Sequence, residues 1–219
     1  VVRPYPRPFD AIILAGGRGT RMGGADKPGL VVGGQTLLSS VLAAAAAAGV
    51  GRVVVVGPPR SGPPEPEQPG RLANGQPGPL VSYVREQPAA AGPGPALRRG
   101  LDQVAAPAAV LLAADLPFLR AGHLAWLLAA LEGQPERAGV VLADDSGQPQ
   151  WLASCWRTAT LRAAARGYPG RSLHGLLGPL HPVLLRYHRA GAEPPPWLDC
   201  DTPEDLSRAR AWSEQEASQ

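Results

Sequence analysis

Residues 14–28, LAGGRGTRMGGADKP, carry the densest chemistry in the chain. Gly16, Gly17 and Gly19 lack a Cβ, so the backbone there can take positive φ and approach a ligand closely. Consecutive main-chain N–H groups in such a loop form a nest for an anion. Arg18, Arg21 and Lys27 add three positive charges. A loop this cationic and this rich in glycine suits a polyphosphate, whereas the plainer alternative is a glycine turn with solvated arginines. Two familiar phosphate loops are excluded. A P-loop needs lysine directly after its last glycine and before Ser or Thr, but Lys27 lies between Asp26 and Pro28. A dinucleotide fingerprint needs a third small residue, and counting from Gly17 and Gly19 reaches Met22. No acidic residue closes the second strand either, where Gly57 stands.

Carboxylates form the second group. Asp115 lies one alanine beyond the apolar run Ala109–Ala113 and precedes Leu116 and Pro117. Magnesium is held by one or two carboxylates together with substrate phosphate oxygens and water, so one well-placed aspartate suffices. The other reading of Asp115 is an acid serving the start of the following helix. In LDCDTPEDL, residues 198–206, Asp199 and Asp201 alternate along an extended segment and so share one side. Asp201 is either a further charge at a metal site or an aspartate that precedes a capped helix. His174, His181 and His188 recur every seven residues, but Pro179 and Pro182 break any helix that would align them. Cys155 and Cys200 match no metal-ligand or redox spacing.

The elements that must position these groups follow from pattern. AIIL (11–14), RVVVV (52–56), residues 80–84, AVLLA (109–113) and GVVLA (139–143) predict strands, and 183–187 a further one. Helices are predicted near 36–48, ending at Gly49, and near 95–104, 122–131 and 157–166. A last helix starts at Thr202 as N-cap, with Pro203 first and Glu204 and Asp205 in its first turn. Residues 58–79, crowded with Pro and Gly, predict a loop. Strands apolar on both faces and alternating with helices imply a mainly parallel sheet covered on both sides. The ligand edge of such a sheet lies at the carboxyl ends of its strands, where both Gly16 and Asp115 fall.

Composition narrows the class. At 219 residues and 44% hydrophobic the chain suits one globular domain over 10–213, with a short extension (1–9) and tail (214–219). No apolar run is long enough to span a membrane, and VVRPYPRPF has no apolar signal core, so a cytoplasmic protein is expected. The net charge of +3 comes from scattered arginines, without a basic run, so nucleic acid is not the expected partner. Of 21 basic residues the sole lysine is Lys27.

The motif Leu14-Ala15-Gly16-Gly17-x-Gly19-Thr20-Arg21-Met22, followed by Gly23-Gly24-x-Asp26-Lys27-Pro28, resembles the signature of the nucleotidyltransferase superfamily. More closely, it is similar to the MobA-like molybdenum cofactor guanylyltransferases. Gly92-Pro93-x-x-Ala96-Leu97 and Thr202-Pro203-Glu204-Asp205-Leu206 resemble two further family segments. The resemblance implies a three-layer α/β/α sandwich with Rossmann-like topology. It implies transfer of GMP from GTP to the terminal phosphate of molybdopterin, with pyrophosphate released and Mg²⁺ required. Arg21, Lys27 and Asp115 would be catalytic. Leu14, Ala15, Gly16, Gly17, Arg18, Gly19, Glu86 and Gly92 would hold the nucleotide with Lys27 and Asp115, and Glu86 would read its base. Asp115, joined by Asp201, would bind the metal, while Arg171 and Asp199 would face the pterin. Family members carry Asn where this chain has Asp199 and Asp201, often Asp at Glu86, and in some cases Asn at Gly57. Transient contact with molybdoenzyme maturation proteins fits the same reading. The alternatives are cytidylyl transfer to molybdopterin, guanylyl transfer to phospholactate, nucleotidylyl transfer to a sugar phosphate, or a nucleotide-binding assembly partner without turnover.

Overall fold

The computed structural model describes residues 8–16, 26–58, 68–71, 77–187 and 193–217. Strands β1 (Phe9–Leu14), β4 (Arg52–Val56), β6 (Pro77–Val84) and β7 (Ala108–Ala113) form the parallel heart of an eight-stranded sheet. β1 pairs with β4 on one side and β7 on the other. The chain thus leaves β1 in one direction and later returns past it, which makes a topological switch point beside β1. The other four strands are β5 (Gln68–Arg71), β8 (Gly139–Ala143), β9 (Pro149–Arg157) and β10 (Val183–Arg186), and the full order is β10-β8-β9-β7-β1-β4-β6-β5. A separate hairpin joins β2 (Val31–Val32) to β3 (Gln35–Thr36). Its two turn residues, Gly33 and Gly34, both have positive φ, as a two-residue hairpin turn requires.

The alternating side chains of the central strands divide the core in two. Ala11, Ile13, Val53, Val55, Val110 and Leu112 face α1 (Leu37–Ala47) and α3 (Ala121–Glu132). Ile12, Leu14, Val54, Val56, Ala109 and Leu111 face α2 (Pro93–Leu101), α4 (Thr158–Gly167) and α5 (Leu173–Leu177). The result is the three-layer α/β/α sandwich that the family resemblance implies, with the mainly parallel sheet expected from the apolar strands made mixed by β5 and β9. α6 (Pro203–Ala217) packs Leu206 and Ala209 on Val32, Leu37 and Phe118 in a smaller third cluster. No helix among the described residues is long and apolar enough to cross a membrane.

Several helix ends match their sequence signals. Thr36 caps α1 by accepting from Ser39 N–H. Thr202 Oγ1 accepts from Asp205 N–H while the Asp205 carboxylate accepts from Thr202 N–H, a reciprocal box at the start of α6. Two elements depart from expectation. β5 and the first residues of β6 fall inside the stretch read as a loop, because an edge strand tolerates proline. β9 was not anticipated at all. It runs antiparallel between β7 and β8, and its sequence, PQWLASCWR, has neither the β-branched run nor the alternation that marks its neighbours.

Asp10 secures the opposite, amino-terminal edge of the sheet. Buried within β1, it accepts from the N–H groups of Ala105 and Ala106 at 2.8 and 2.9 Å, which fixes the turn into β7.

Candidate functional site

The carboxyl ends of β1, β4, β6 and β7 open on one cleft of about 1140 Å³. Leu14, Ala15 and Gly16 enter it from β1, Glu86 from just beyond β6, and Asp115 from just beyond β7. Lys27, Asp199 and Asp201 line the same space. Residues from opposite ends of the chain therefore meet where the sheet order reverses.

Lys27 opens a short 3-10 turn, Lys27–Gly29, that Pro28 preorganises. Its ammonium donates to the Asp201 carboxylate, with 17% of the lysine side chain still exposed. The carboxylate-bearing segment is held by its middle residue. Cys200 is fully buried in the third cluster, so Asp199 and Asp201 on either side both line the cleft. Burial, then the charges of Asp115, Asp199 and Asp205, push the Cys200 thiol up to about 12, so it serves as a small apolar anchor.

Asp115 is electrostatically loaded. Burial is the largest cause of a carboxyl pushed up to about 6, followed by the charge of Asp199; Lys27 opposes the rise and Asp201 adds to it. Burial and the charge of Asp201 likewise raise Asp199. Three carboxylates thus crowd one ammonium. Asp115 and Asp201 are hard oxygen donors of the kind Mg²⁺ takes one or two at a time beside phosphate oxygens, and the described residues hold no cluster of three or more such side chains that would cage a metal unaided.

Glu86 is 7% exposed. Its Oε1 accepts from Ala90 N–H at 2.9 Å, whereas its buried Oε2 has no hydrogen-bond partner among the described residues. A position of this kind costs stability unless a ligand donor arrives. Gly16 lies against it: a Cβ there would sit 4.0 Å from Glu86 Oε1. At the neighbouring strand end a Cβ on Gly57 would meet the Ala15 carbonyl carbon and oxygen at 2.9 Å. The approach of the two chains therefore accounts for glycine there and leaves no room for a longer polar side chain.

Gly92, with φ of +108°, is the N-cap of α2 and lines the cleft with Pro93 and Ala96. The first turn of this helix has no free main-chain donor: Pro93 and Pro95 lack an N–H, Gly94 N–H donates to the Arg171 carbonyl, and Ala96 N–H donates to the Gly92 carbonyl. Arg171 serves this turn. Its guanidinium donates to the carbonyls of Ala90 and Ala91, so it holds the loop next to Glu86 and is not among the residues that line the cleft. Gly17, Arg18, Gly19 and Arg21 lie outside the described residues, as does His188. His174 stacks edge-on against Trp151 and His181 sits at a left-handed turn, so the seven-residue histidine spacing forms no common helix face.

A family model of the MobA-like NTP transferase domain matches residues 11–191. The chain belongs to the MobA-like NTP transferase family. A molybdenum cofactor guanylyltransferase of Rhodobacter capsulatus is 31% identical over 208 residues, covering 90% of this chain and 93% of that protein. Another, from Bradyrhizobium sp. (strain ORS 278), is 34% identical over 155 residues, which is 66% of this chain, and the match spans 64% of that relative's length. The crystal structure of 2-C-methyl-D-erythritol 4-phosphate cytidylyltransferase from Thermus thermophilus aligns over 94% of this chain and 99% of its own, with TM-score 0.64 and 19% identity. At that identity the likeness is one of fold. As a member of this family the chain is a nucleotidyltransferase acting on small-molecule substrates.

Several residues of the cleft carry no site reading in the sequence, among them three with polar or aromatic side chains. Gln150, Trp151 and Trp197 line it, but the first two belong to the unanticipated β9 and the third follows a proline run. The only signal that could have found them was the concentration of Trp and Pro in otherwise irregular stretches.

Proposed function

We propose that this MobA-like domain transfers GMP from GTP to the terminal phosphate of molybdopterin carrying molybdenum. The observation that carries the reading is the meeting of Lys27, Asp115, Asp201 and the unpartnered Glu86 oxygen around one cleft. The similarity to two molybdenum cofactor guanylyltransferases supports it.

Glu86 selects the base. A carboxylate only accepts hydrogen bonds. Guanine offers a ring N–H beside an exocyclic amine, two adjacent donors, while cytosine offers one amine beside an acceptor ring nitrogen. The buried oxygen of Glu86 therefore favours GTP over CTP. Main-chain amides of Gly16, Gly17 and Gly19 cradle the phosphates with Arg18 and Arg21. The Lys27 ammonium moves from Asp201 to the β- and γ-phosphates, where it stabilises charge that develops as pyrophosphate departs. Asp115, with Asp201 beside it, would hold Mg²⁺, which when bound neutralises phosphate charge. Asp199, which lines the same cleft, would face the acceptor.

An oxygen of the acceptor's terminal phosphate attacks the α-phosphorus, a new P–O–P link forms, and the bond to the β-phosphate oxygen breaks with its electron pair leaving on pyrophosphate. A phosphate monoester is already anionic near neutral pH, so no strong base is needed. Catalysis is positioning plus electrostatics, without a covalent enzyme intermediate. The test follows pyrophosphate release with Mg²⁺. Release that requires both GTP and molybdopterin is expected; release that proceeds unchanged without the pterin contradicts the reading.

A further inference from the structure

β9 departs from regular pairing at the point where it enters the cleft. Against β8, Val141 pairs with Ser154, but the next residue, Leu142, pairs with Gln150. Residues 151–153 therefore bulge from the β8 side, while Ala153 still pairs with Leu112 of β7. The bulge is built in. Ser154, fully buried, donates its hydroxyl to the Trp151 carbonyl at 2.7 Å and accepts from the Trp156 indole N–H at 2.8 Å. A bulge beside an active site re-aims side chains, and here it delivers Gln150, Trp151 and Leu152 to the cleft wall.

The polarity of Gln150 is fixed as well. Its amide nitrogen donates to Asp144 Oδ2 at 2.9 Å. The other carboxylate oxygen, Asp144 Oδ1, accepts from Ser146 N–H and Oγ and from Gln148 N–H. Those bonds keep the Asp144 carboxyl below its usual range, so it is an acceptor only. The amide end of Gln150 must face it, and the carbonyl Oε1 is left for a partner in the cleft. Trp151 packs with the core on one face of the sheet and Trp197 with the core on the other, and both present apolar surface to the same cleft. Trp197 is braced edge-on by Tyr187 at 6.2 Å.

We propose that the bulged start of β9 is the acceptor subsite: Gln150, oriented by Asp144, accepts from a ring N–H of a flat heterocycle whose faces meet Trp151 and Trp197. This rests on the nucleotidyl-transfer reading and specifies the acceptor class as a planar heteroaromatic ring with N–H donors. Gln150 and the two tryptophans touch the acceptor; Asp144 is a positioning residue that acts through Gln150.

The test uses 6-hydroxymethylpterin, which has a ring N3–H, and 2,4-diaminopteridine, which has an acceptor nitrogen at that place. Binding of each to the full chain is measured by calorimetry, for wild type, Asp144→Asn and Gln150→Leu. Wild type is expected to bind the pterin and discriminate against the diamino compound. Asp144→Asn lets Gln150 turn its carbonyl to Asn and its amide to the cleft, so the preference should fall by about tenfold or invert. Gln150→Leu should remove it, with GTP affinity and melting temperature unchanged in both variants. A merely structural role would weaken both ligands alike. Discrimination that is the same in all three proteins, or a wild type that binds no pterin, overturns the proposal. Transfer is scored separately: binding as described without GMP transfer contradicts the proposed reaction and leaves the subsite standing.

Discussion

Lys27 shares its charge with Asp201 in a site that also holds Asp115 and Asp199, so each residue's role follows from what the others do to it. In the proposed reaction the lone lysine of an arginine-biased chain is a compact, rotatable point charge that passes from the Asp201 carboxylate to a phosphate. A guanidinium is planar and binds a carboxylate in a two-pronged grip, so Lys27→Arg should hold GTP yet slow turnover. Steady-state kinetics checks this: a loss of about tenfold or more in kcat with little change in KM for GTP is expected, and a change in KM alone would make Lys27 a uniform binder. Asp115 gives a pH signature. Its folded carboxyl titrates near 6, above its unfolded value of about 4. The unfolded chain therefore releases this proton first, and the metal-free fold loses stability as pH rises from about 4 through 6. Asp115→Asn should melt higher than wild type in EDTA at pH 8, with the gap closing toward pH 5, and should fail to turn over. A variant that melts no higher at pH 8 contradicts the crowding of carboxylates.

At the scale of elements, the site depends on how closely α2 and the loops approach β1. A Cβ on Gly100 would meet Ile12 Cγ2 at 2.6 Å and Val56 Cγ2 at 3.1 Å. Gly→Ala inside a helix gains about 1 kcal/mol of propensity, while overpacking a core costs about 1–3 kcal/mol. Both opposing groups are branched side chains in a fully buried layer, so the packing cost wins, and Gly100→Ala should lower the melting temperature. Asp10 supports the other edge. Asp10→Ala strands two main-chain N–H groups and should cost about 2–4 kcal/mol by denaturant unfolding, whereas Asp10→Asn keeps an acceptor oxygen and should cost clearly less. Elements with a strong local signal were legible in the sequence. Arg52–Val56 is β-branched throughout, Gly139–Ala143 is an unbroken apolar run, and Thr202-Pro203-Glu204-Asp205 spells its own cap. β9 was not legible, because its own residues carry no strand pattern and its place is set by two antiparallel partners, the preceding β8 and the distant β7.

Across the whole molecule, the sheet's switch point explains why reading the ends of apolar runs located the site. Any residue just past β1 or β7 reaches the same edge, so Gly16 and Asp115 line one cleft and could be put at that edge without knowledge of the strand order. The acceptor side was harder to read, since Gln150 and Trp151 reach the cleft from the start of an antiparallel strand, and Trp197 from a segment without regular structure. Arg171, which the family resemblance implies faces the pterin, instead commits its guanidinium to the Ala90 and Ala91 carbonyls. The central claim is that this cleft moves GMP, selected by Glu86, onto a pterin phosphate. The most direct measurement offers Mg²⁺, molybdopterin and equal amounts of α-labelled GTP and CTP in one reaction and identifies the labelled pterin dinucleotide. The guanine dinucleotide should dominate; a cytosine dinucleotide as the main product, or label in neither, would contradict the account.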